Sequence, residues 1–111
     1  MTYINKVKII ETTIFTRKIN SLLEDEEYRK LQNELILNPV KGKVIRGSGG
    51  LRKIRWSVHR TGKSGGIRII YYWAKARNTI LMLLVYPKNE QDNLTPSQLK
   101  ILKSLVEKEL K

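Results

Sequence analysis

The chain has no cysteine, and this absence excludes both a disulfide framework and a metal site built on thiolates. It has a single histidine, His59, so a zinc site or a nuclease built on two histidines is not expected. No apolar run approaches the length of a membrane-spanning helix, and the N-terminus has no signal-peptide pattern. We therefore expect a cytoplasmic protein without a membrane segment, a metal or another cofactor.

Acidic residues are also scarce. The 111 residues include 10 Asp and Glu against 22 Lys and Arg, which leaves a net charge of +12. Such a balance favours binding to polyanions through steering and counterion release. Hydrophobic residues make up 41% of the chain, enough for a core, and the length fits one domain over residues 1–111. The composition predicts a single domain that acts on or near nucleic acid.

The apolar pattern predicts an α+β domain in the order β-α-α-β-β-β-α. A short first strand covers Val7–Ile10. One helix follows the N-cap hydroxyls of Thr12-Thr13, and a second begins at Asp25 and stops before Asn38-Pro39. These two helices should form a hairpin.

Three further strands and a last helix complete the predicted fold. The strands cover Leu51–Val58, Ile67–Trp73 and Ile80–Tyr86, and their short connections favour antiparallel hairpins. The last strand is apolar on both faces, which is typical of a central, fully covered strand. Thr95, Pro96 and Gln98 carry the signals of a helix start. The prediction is a small, antiparallel-dominated sheet with an N-terminal helix hairpin and a C-terminal helix.

Cations occupy unusual positions on these strands. Side chains alternate between the two faces of a strand, so Lys53 and Arg55 project on the same face. Edge-strand lysines also guard against aggregation, which is an adequate alternative explanation for Lys53. It does not explain Arg68, which lies among Ile67, Ile69 and Ile70 and therefore needs a partner.

A cluster of this kind suits cleavage of RNA, which carries its own nucleophile in the 2′-hydroxyl. The protein must then supply a base, cations for the non-bridging oxygens and an acid for the leaving oxygen. Lys53 is the leading candidate for the base, Arg55 would orient the phosphate and Arg68 would stabilise the transition state. Lys88 and Tyr86, at the end of the last strand, are candidates for the acid, and Tyr86 could instead stack a base, position the phosphate or pack as an amphipathic side chain at the strand end.

A basic segment precedes these strands and ends in the glycine-rich turn Gly47-Ser48-Gly49-Gly50. The turn is no Walker loop, because no helix with Lys-Ser/Thr follows, and it should adopt positive φ angles. The predicted contacts to RNA are Lys41, Lys43, Arg46, Arg52 and Lys63.

With these features the chain resembles the RelE/HigB toxins of bacterial type II toxin–antitoxin systems, most closely the HigB branch. The resemblance rests on Gly49-Gly50-Leu51-Arg52-Lys53-Ile54-Arg55, on Gly66–Tyr71 and on Lys88-Asn89-Glu90, in that order. It implies a RelE-like fold and a metal-independent endoribonuclease that cleaves mRNA in the A site of the 70S ribosome. It also implies a cognate antitoxin, HigA- or RelB-like and DNA-binding, whose complex with the toxin represses their own operon.

The resemblance extends to single residues. Lys53 and Arg55 match two basic residues of one strand of the family, Arg68 its phosphate-stabilising arginine, and Lys88 the lysine after the last strand. The chain departs from many RelE-type members in two places. Asn89 stands where they have a further arginine, and Thr95 stands where they have a tyrosine. The general acid is therefore open between Lys88 and Tyr86.

Two other function classes remain open from the sequence. The same fold also hosts ParE-like toxins that inhibit DNA gyrase by binding, and fold does not decide function. A non-enzymatic, basic RNA-binding module is the other alternative. The cluster of Lys53, Arg55 and Arg68 favours RNA cleavage, since a gyrase inhibitor would not need it in that arrangement.

Overall fold

The computed structural model describes residues 6–58 and 66–110. The elements in chain order are the strand β1 (Lys8–Glu11), the helices α1 (Thr13–Leu22) and α2 (Asp25–Leu37), the strands β2 (Lys43–Val44), β3 (Arg52–Ser57) and β4 (Gly66–Ala74), a 3-10 helix (Lys75–Arg77), the strand β5 (Thr79–Pro87) and the helix α3 (Pro96–Leu110). His59 and Lys63 lie outside the described residues.

The five strands form one sheet in the order β1-β5-β4-β3-β2. β1 runs parallel to β5, and the other three strand pairs are antiparallel. This confirms the predicted α+β fold with its antiparallel-dominated sheet. One strand was not predicted: Lys43 and Val44 form β2 opposite Lys53 and Arg52 of β3. Two residues are too few to show a period, so this short edge strand has no signature in the sequence.

The helices cover the two faces of the sheet with separate cores. α1 and α2 pack on one face, with Phe15, Ile19, Leu31 and Leu35 buried against the strands. α3 packs on the other, which we call the α3 face, through residues that include Leu102. β5 lies between β1 and β4 and is buried from Thr79 to Tyr86, which confirms the prediction of a central, covered strand.

Helix ends follow the predicted capping chemistry. The backbone N–H of Phe15 donates to the Thr12 hydroxyl at 3.1 Å, so Thr12 is the N-cap of α1. At α3 the N–H of Gln98 donates to the Thr95 hydroxyl at 3.1 Å, and the N–H of Thr95 donates to the Gln98 side chain at 3.0 Å. This is the reciprocal capping box. It fixes where the connection from β5 ends and α3 begins.

β5 contains a bulge that changes which face its residues occupy. Tyr71 lies opposite Met82 and Ile70 opposite Leu84, so Leu83 is an extra residue on β5. As a result Leu83 and Leu84 both join the core of the α3 face, and Val85 returns to the core of α1 and α2. Tyr86 therefore lies on the α3 face, opposite Arg68.

Tyr71 anchors the chain that leads from α2 to β2. Its ring is fully buried, and its hydroxyl accepts the N–H of Gly42 at 2.8 Å and donates to the Pro39 carbonyl at 2.7 Å. A Cβ at position 42 would lie 2.8 Å from the Tyr71 ring, so this close approach requires glycine. The position of the basic segment 41–46 thus depends on the Tyr71 hydroxyl, on the face of the sheet that α1 and α2 cover.

The predicted glycine turn is confirmed, since Gly47, Gly49 and Gly50 all have positive φ. Within residues 6–58 and 66–110, no helix combines the length and the apolar character that crossing a membrane requires.

Candidate active site

The register of three strands sets three of the predicted site residues in a row. Arg55 of β3 lies directly opposite Arg68 of β4, and Arg68 lies directly opposite Tyr86 of β5. Residues paired in this way project on the same face of a sheet. Lys53 lies two residues from Arg55 and opposite Ile70, so it shares the α3 face. We call Lys53, Arg55 and Arg68 the cation cluster.

Arg68 is buried, with 5% of its surface exposed. Its Nε and Nη2 both contact the Asp92 Oδ1 at 3.2 Å, and its Nη1 donates to the Ile67 carbonyl at 3.5 Å. A buried guanidinium beside Arg55 needs an opposite charge, and Asp92 supplies it. The prediction that Arg68 has a partner is thus confirmed, and the partner is a residue that the sequence analysis did not single out.

Asp92 and Asn93 together contact three of the predicted site residues, and we call them the Asp92–Asn93 segment. The Lys53 Nζ donates to the Asn93 Oδ1 at 2.8 Å and lies 3.4 Å from the Asp92 carbonyl oxygen. The Tyr86 hydroxyl donates to the same carbonyl at 3.4 Å. The segment belongs to the connection 88–95 between β5 and α3. Because of these contacts it lies directly over the cation cluster.

Gln91 ties this connection to the first turn of α3. Its side-chain amide donates to the Gln98 Oε1 at 2.8 Å and to the Asn93 carbonyl at 3.0 Å. Because Gln98 is also the residue that closes the capping box, the start of α3 and the Asp92–Asn93 segment are held by one set of hydrogen bonds. The helix cap thereby positions groups at the site.

Tyr86 is buried on the α3 face, and its phenol is neutral. Burial raises its pKa above the ordinary value, the Arg68 charge opposes that shift and the Asp92 charge adds to it. The hydroxyl therefore keeps its proton at neutral pH and can donate it. The ring is 1% exposed and packs in the core of the α3 face, so the structure does not present it for stacking on a base. The ring packs at the end of the strand while its hydroxyl reaches the Asp92 carbonyl, which agrees with amphipathic packing, the other interpretation of Tyr86.

Burial also raises the pKa of Tyr28 and Tyr71, and this gives a prediction for stability at alkaline pH. In the unfolded chain these phenols ionise near pH 10. Above that pH the unfolded state binds fewer protons than the folded one, so the free energy of unfolding should fall as the pH rises from about 10. Urea unfolding between about pH 9 and pH 11 measures this, and Tyr86→Phe should lose less stability over the interval than the wild type. A free energy that is constant over this interval in both proteins would contradict the prediction.

The other residues that were predicted to contact RNA lie at several separate positions on the structure. Lys43 lies opposite Lys53 and extends the α3 face across β2. Arg46 and Lys88 are exposed, and the Lys88 N–H donates to the Gly66 carbonyl at the start of β4. Lys41 forms an ion pair with Glu34 of α2.

Arg52 lies on the opposite face of the sheet from the cation cluster. It pairs with Tyr71 across β3 and β4, and its Nη1 donates to the carbonyls of Val40 and Gly42 at 3.2 and 2.7 Å. These bonds hold the chain between α2 and β2. The structure therefore separates Arg52 from Lys53 and Arg55, although the three are adjacent in sequence, and gives its guanidinium a structural task.

The structure also contains a cleft near the site. A cleft of about 390 Å³ lies between α2 and β3, with Glu27, Glu34 and Lys41 in its walls. It reaches Arg55 but not Lys53, Arg68 or Tyr86, so it is separate from most of the cluster. Among the described residues, no three histidine, aspartate or glutamate side chains gather closely enough to hold a metal ion.

Sequence comparison assigns the chain to a family. A profile described as the RelE toxin of the RelE / RelB toxin-antitoxin system matches residues 7–111, nearly the whole chain. The chain belongs to the RelE toxin family. This confirms the resemblance and makes the protein the toxin of a type II toxin–antitoxin system. Its placement in the HigB branch stays a prediction.

Solved structures show that this RelE family toxin shares the fold of Escherichia coli RelE. The toxin in the intact E. coli RelBE toxin–antitoxin complex matches with a TM-score of 0.56 and 18% identity, over 72% of this chain and 94% of that chain. A double arginine-to-alanine mutant of E. coli RelE in the free state matches with 0.59 and 16%, over 78% and 87%. Isolated E. coli RelE matches with 0.59 and 14%, over 90% and 99%.

Proposed function

We propose that this RelE family toxin is a ribosome-dependent endoribonuclease that cleaves mRNA in the ribosomal A site and so inhibits translation. The observation that carries the proposal is the row of Arg55, Arg68 and Tyr86 across three strands, with Lys53 beside it. Two guanidiniums, an amine and a protonated phenol on one face supply the charges, the base and the proton donor that phosphodiester cleavage by a 2′-hydroxyl requires.

The roles follow from chemistry and position. Lys53 is the candidate for the base that takes the proton of the 2′-hydroxyl, and the exposed Arg55 orients the phosphate. Arg68, always charged and able to bind two oxygens at once, stabilises the transition state. The leaving 5′-oxygen takes its proton from Lys88 or Tyr86. The whole set acts without a metal or another cofactor.

The surface around this set would hold the toxin on the ribosome. Lys43 extends the α3 face, and Arg46 and Lys88 flank it as exposed cations. We propose these, with Lys41 and Lys63, as contacts to ribosomal RNA or mRNA, in a single toxin domain over residues 1–111 that works in the cytoplasm. Arg52, also predicted as such a contact, lies on the other face and binds the Val40 and Gly42 carbonyls instead. The net charge of +12 supports long-range attraction to the ribosome.

The partner that silences the toxin is a cognate antitoxin. The solved E. coli complex holds RelE with its antitoxin RelB. We propose a HigA- or RelB-like antitoxin for this chain, DNA-binding and able to repress the shared operon when complexed with the toxin.

The test is a cell-free translation reaction with purified toxin, in which the ends of a reporter mRNA are mapped with and without ribosomes. We expect cuts in phase with codons only when ribosomes translate the message, because the A site must present the RNA to the cluster. The same mRNA without ribosomes is the matched control and should stay intact.

Intact mRNA in every reaction would contradict the proposed activity. A gyrase supercoiling assay would then test the ParE-like alternative. Salt-sensitive RNA binding without turnover would instead identify a non-enzymatic RNA-binding module.

A further inference from the structure

The site is closed in the free toxin. Only 6% of the Arg68 side chain is exposed, and its Nε and Nη2 both meet the Asp92 carboxylate. The group proposed to stabilise the phosphate therefore has no free surface on which a phosphate could bind. Lys53, the proposed base, is engaged by the neighbouring residue Asn93.

The Asp92 carboxylate resembles the group that Arg68 should bind. A carboxylate and a phosphodiester each carry one negative charge on two equivalent oxygens, and a guanidinium pairs with either. In the free toxin the Arg68 Nε and Nη2 share a single oxygen of Asp92, Oδ1. Exchange of one for the other leaves the charge beside Arg68 unchanged. A phosphate that entered while Asp92 stayed would instead place two anions on one guanidinium.

We propose that Asp92 occupies the phosphate position of the site in the free toxin and leaves it when an RNA phosphate enters. The Asp92–Asn93 segment is then an internal competitor of RNA, and its withdrawal exposes Arg68 and frees Lys53 in one movement. The inference rests on the proposed function of Arg68 as a phosphate-binding residue.

The contacts of the segment are suited to such an exchange. Asp92 and Asn93 are both exposed apart from these contacts, and 55% of the Asp92 side chain is accessible to solvent. Polar bonds hold the segment in place, so its movement uncovers little apolar surface. Leu94, the next residue, packs against the core of the α3 face, and the capping box follows it. The Gln91–Asn93 bond must break for the segment to swing outward, whereas the Gln91–Gln98 bond and the capping box can keep α3 in position.

The experiment measures binding of a short, uncleavable RNA at Arg68 itself. Wild-type toxin and the Asp92→Asn variant are titrated with a 2′-O-methyl trinucleotide, and binding is followed through the NMR signal of the Arg68 Nε–H. Asparagine keeps the shape of the residue but loses the charge that competes with phosphate. We expect Asp92→Asn to bind roughly tenfold more tightly, the equivalent of one charge-assisted hydrogen bond.

Glu90→Gln is the matched control, because it removes one negative charge from the same connection at an exposed position. It should bind like the wild type. Asp92→Ser repeats the measurement if Asp92→Asn is poorly folded. An unchanged or weaker affinity in the Asp92 variants would overturn the inference, and so would an equal gain in Glu90→Gln, which would show a general effect of charge.

The outcome is separable from that of the proposed function. If ribosome-dependent cuts occur while Asp92→Asn shows no gain in affinity, the nuclease stands and the exchange is wrong. If the gain is seen but no mRNA is cut, Arg68 binds phosphate in exchange for Asp92 and the nuclease is wrong.

Discussion

Replacing Arg68 with alanine should lower the rate of ribosome-dependent mRNA cleavage by about 10²–10³-fold, the typical loss for an electrostatic stabiliser of a transition state. The guanidinium lies at the centre of the row, opposite Arg55 on one side and Tyr86 on the other. Arg68→Lys should also lose activity, since an ammonium keeps the charge but cannot bind two oxygens in a planar fork. The rate of appearance of codon-phased mRNA ends measures both variants.

Arg77→Ala is the control for Arg68→Ala. It removes the same charge from an exposed position in the 3-10 helix, beyond the other end of β4, and should keep nearly full activity. The Arg68→Ala protein should still fold, because the carboxylate it leaves unpaired, Asp92, is more than half exposed and can be hydrated. A folded Arg68→Ala protein that cleaves at the wild-type rate would remove Arg68 from the mechanism.

Tyr71→Phe should lower the free energy of unfolding by about 2–4 kcal/mol. The substitution removes one hydroxyl but leaves two backbone groups without that partner, the buried N–H of Gly42 and the partly buried carbonyl of Pro39. A buried group left unpaired costs about 1–3 kcal/mol, and a partly buried one costs less. Chemical denaturation at neutral pH measures the loss.

Tyr72→Phe is the neighbouring control for Tyr71→Phe. Tyr72 is half-buried on the α3 face, and loss of its hydroxyl should change the free energy of unfolding by about 0.5 kcal/mol or less. Equal losses in the two variants would show that the Tyr71 hydroxyl does not anchor the chain between α2 and β2.

Much of the fold follows from local patterns. Alternation along β3 places Lys53 and Arg55 together, the apolar run of β5 places it at the centre of the sheet, and Thr95 with Gln98 marks the start of α3. In each case the physical signal lies within a few residues, as periodicity and capping do. The same alternation puts Arg52 on the other face from Lys53, but its bonds to the carbonyls of Val40 and Gly42 have no local signal, and the sequence analysis predicted an RNA contact instead.

The Asp92–Asn93 segment, which covers the site, could not be predicted from such local patterns. An isolated cation in an apolar strand shows that Arg68 needs a partner, but nothing local names Asp92, which is 24 positions away in sequence. Asp92 and Asn93 belong to a connection without periodicity, and their positions depend on the turn after β5 and on the bonds of Gln91. Glu90, the acidic residue nearest to the strand end, is exposed.

The bulge at Leu83 affects how this chain should be aligned with others. A strand that alternated strictly after Met82 would turn Tyr86 towards α1 and α2, and the extra residue prevents this. A chain one residue shorter at this point could form a regular strand and still bring the equivalent tyrosine beside the arginine. Correct alignment of two such chains needs a gap inside a buried strand, where alignments rarely place one. Without that gap, a tyrosine retained at the same place in space would be counted as lost.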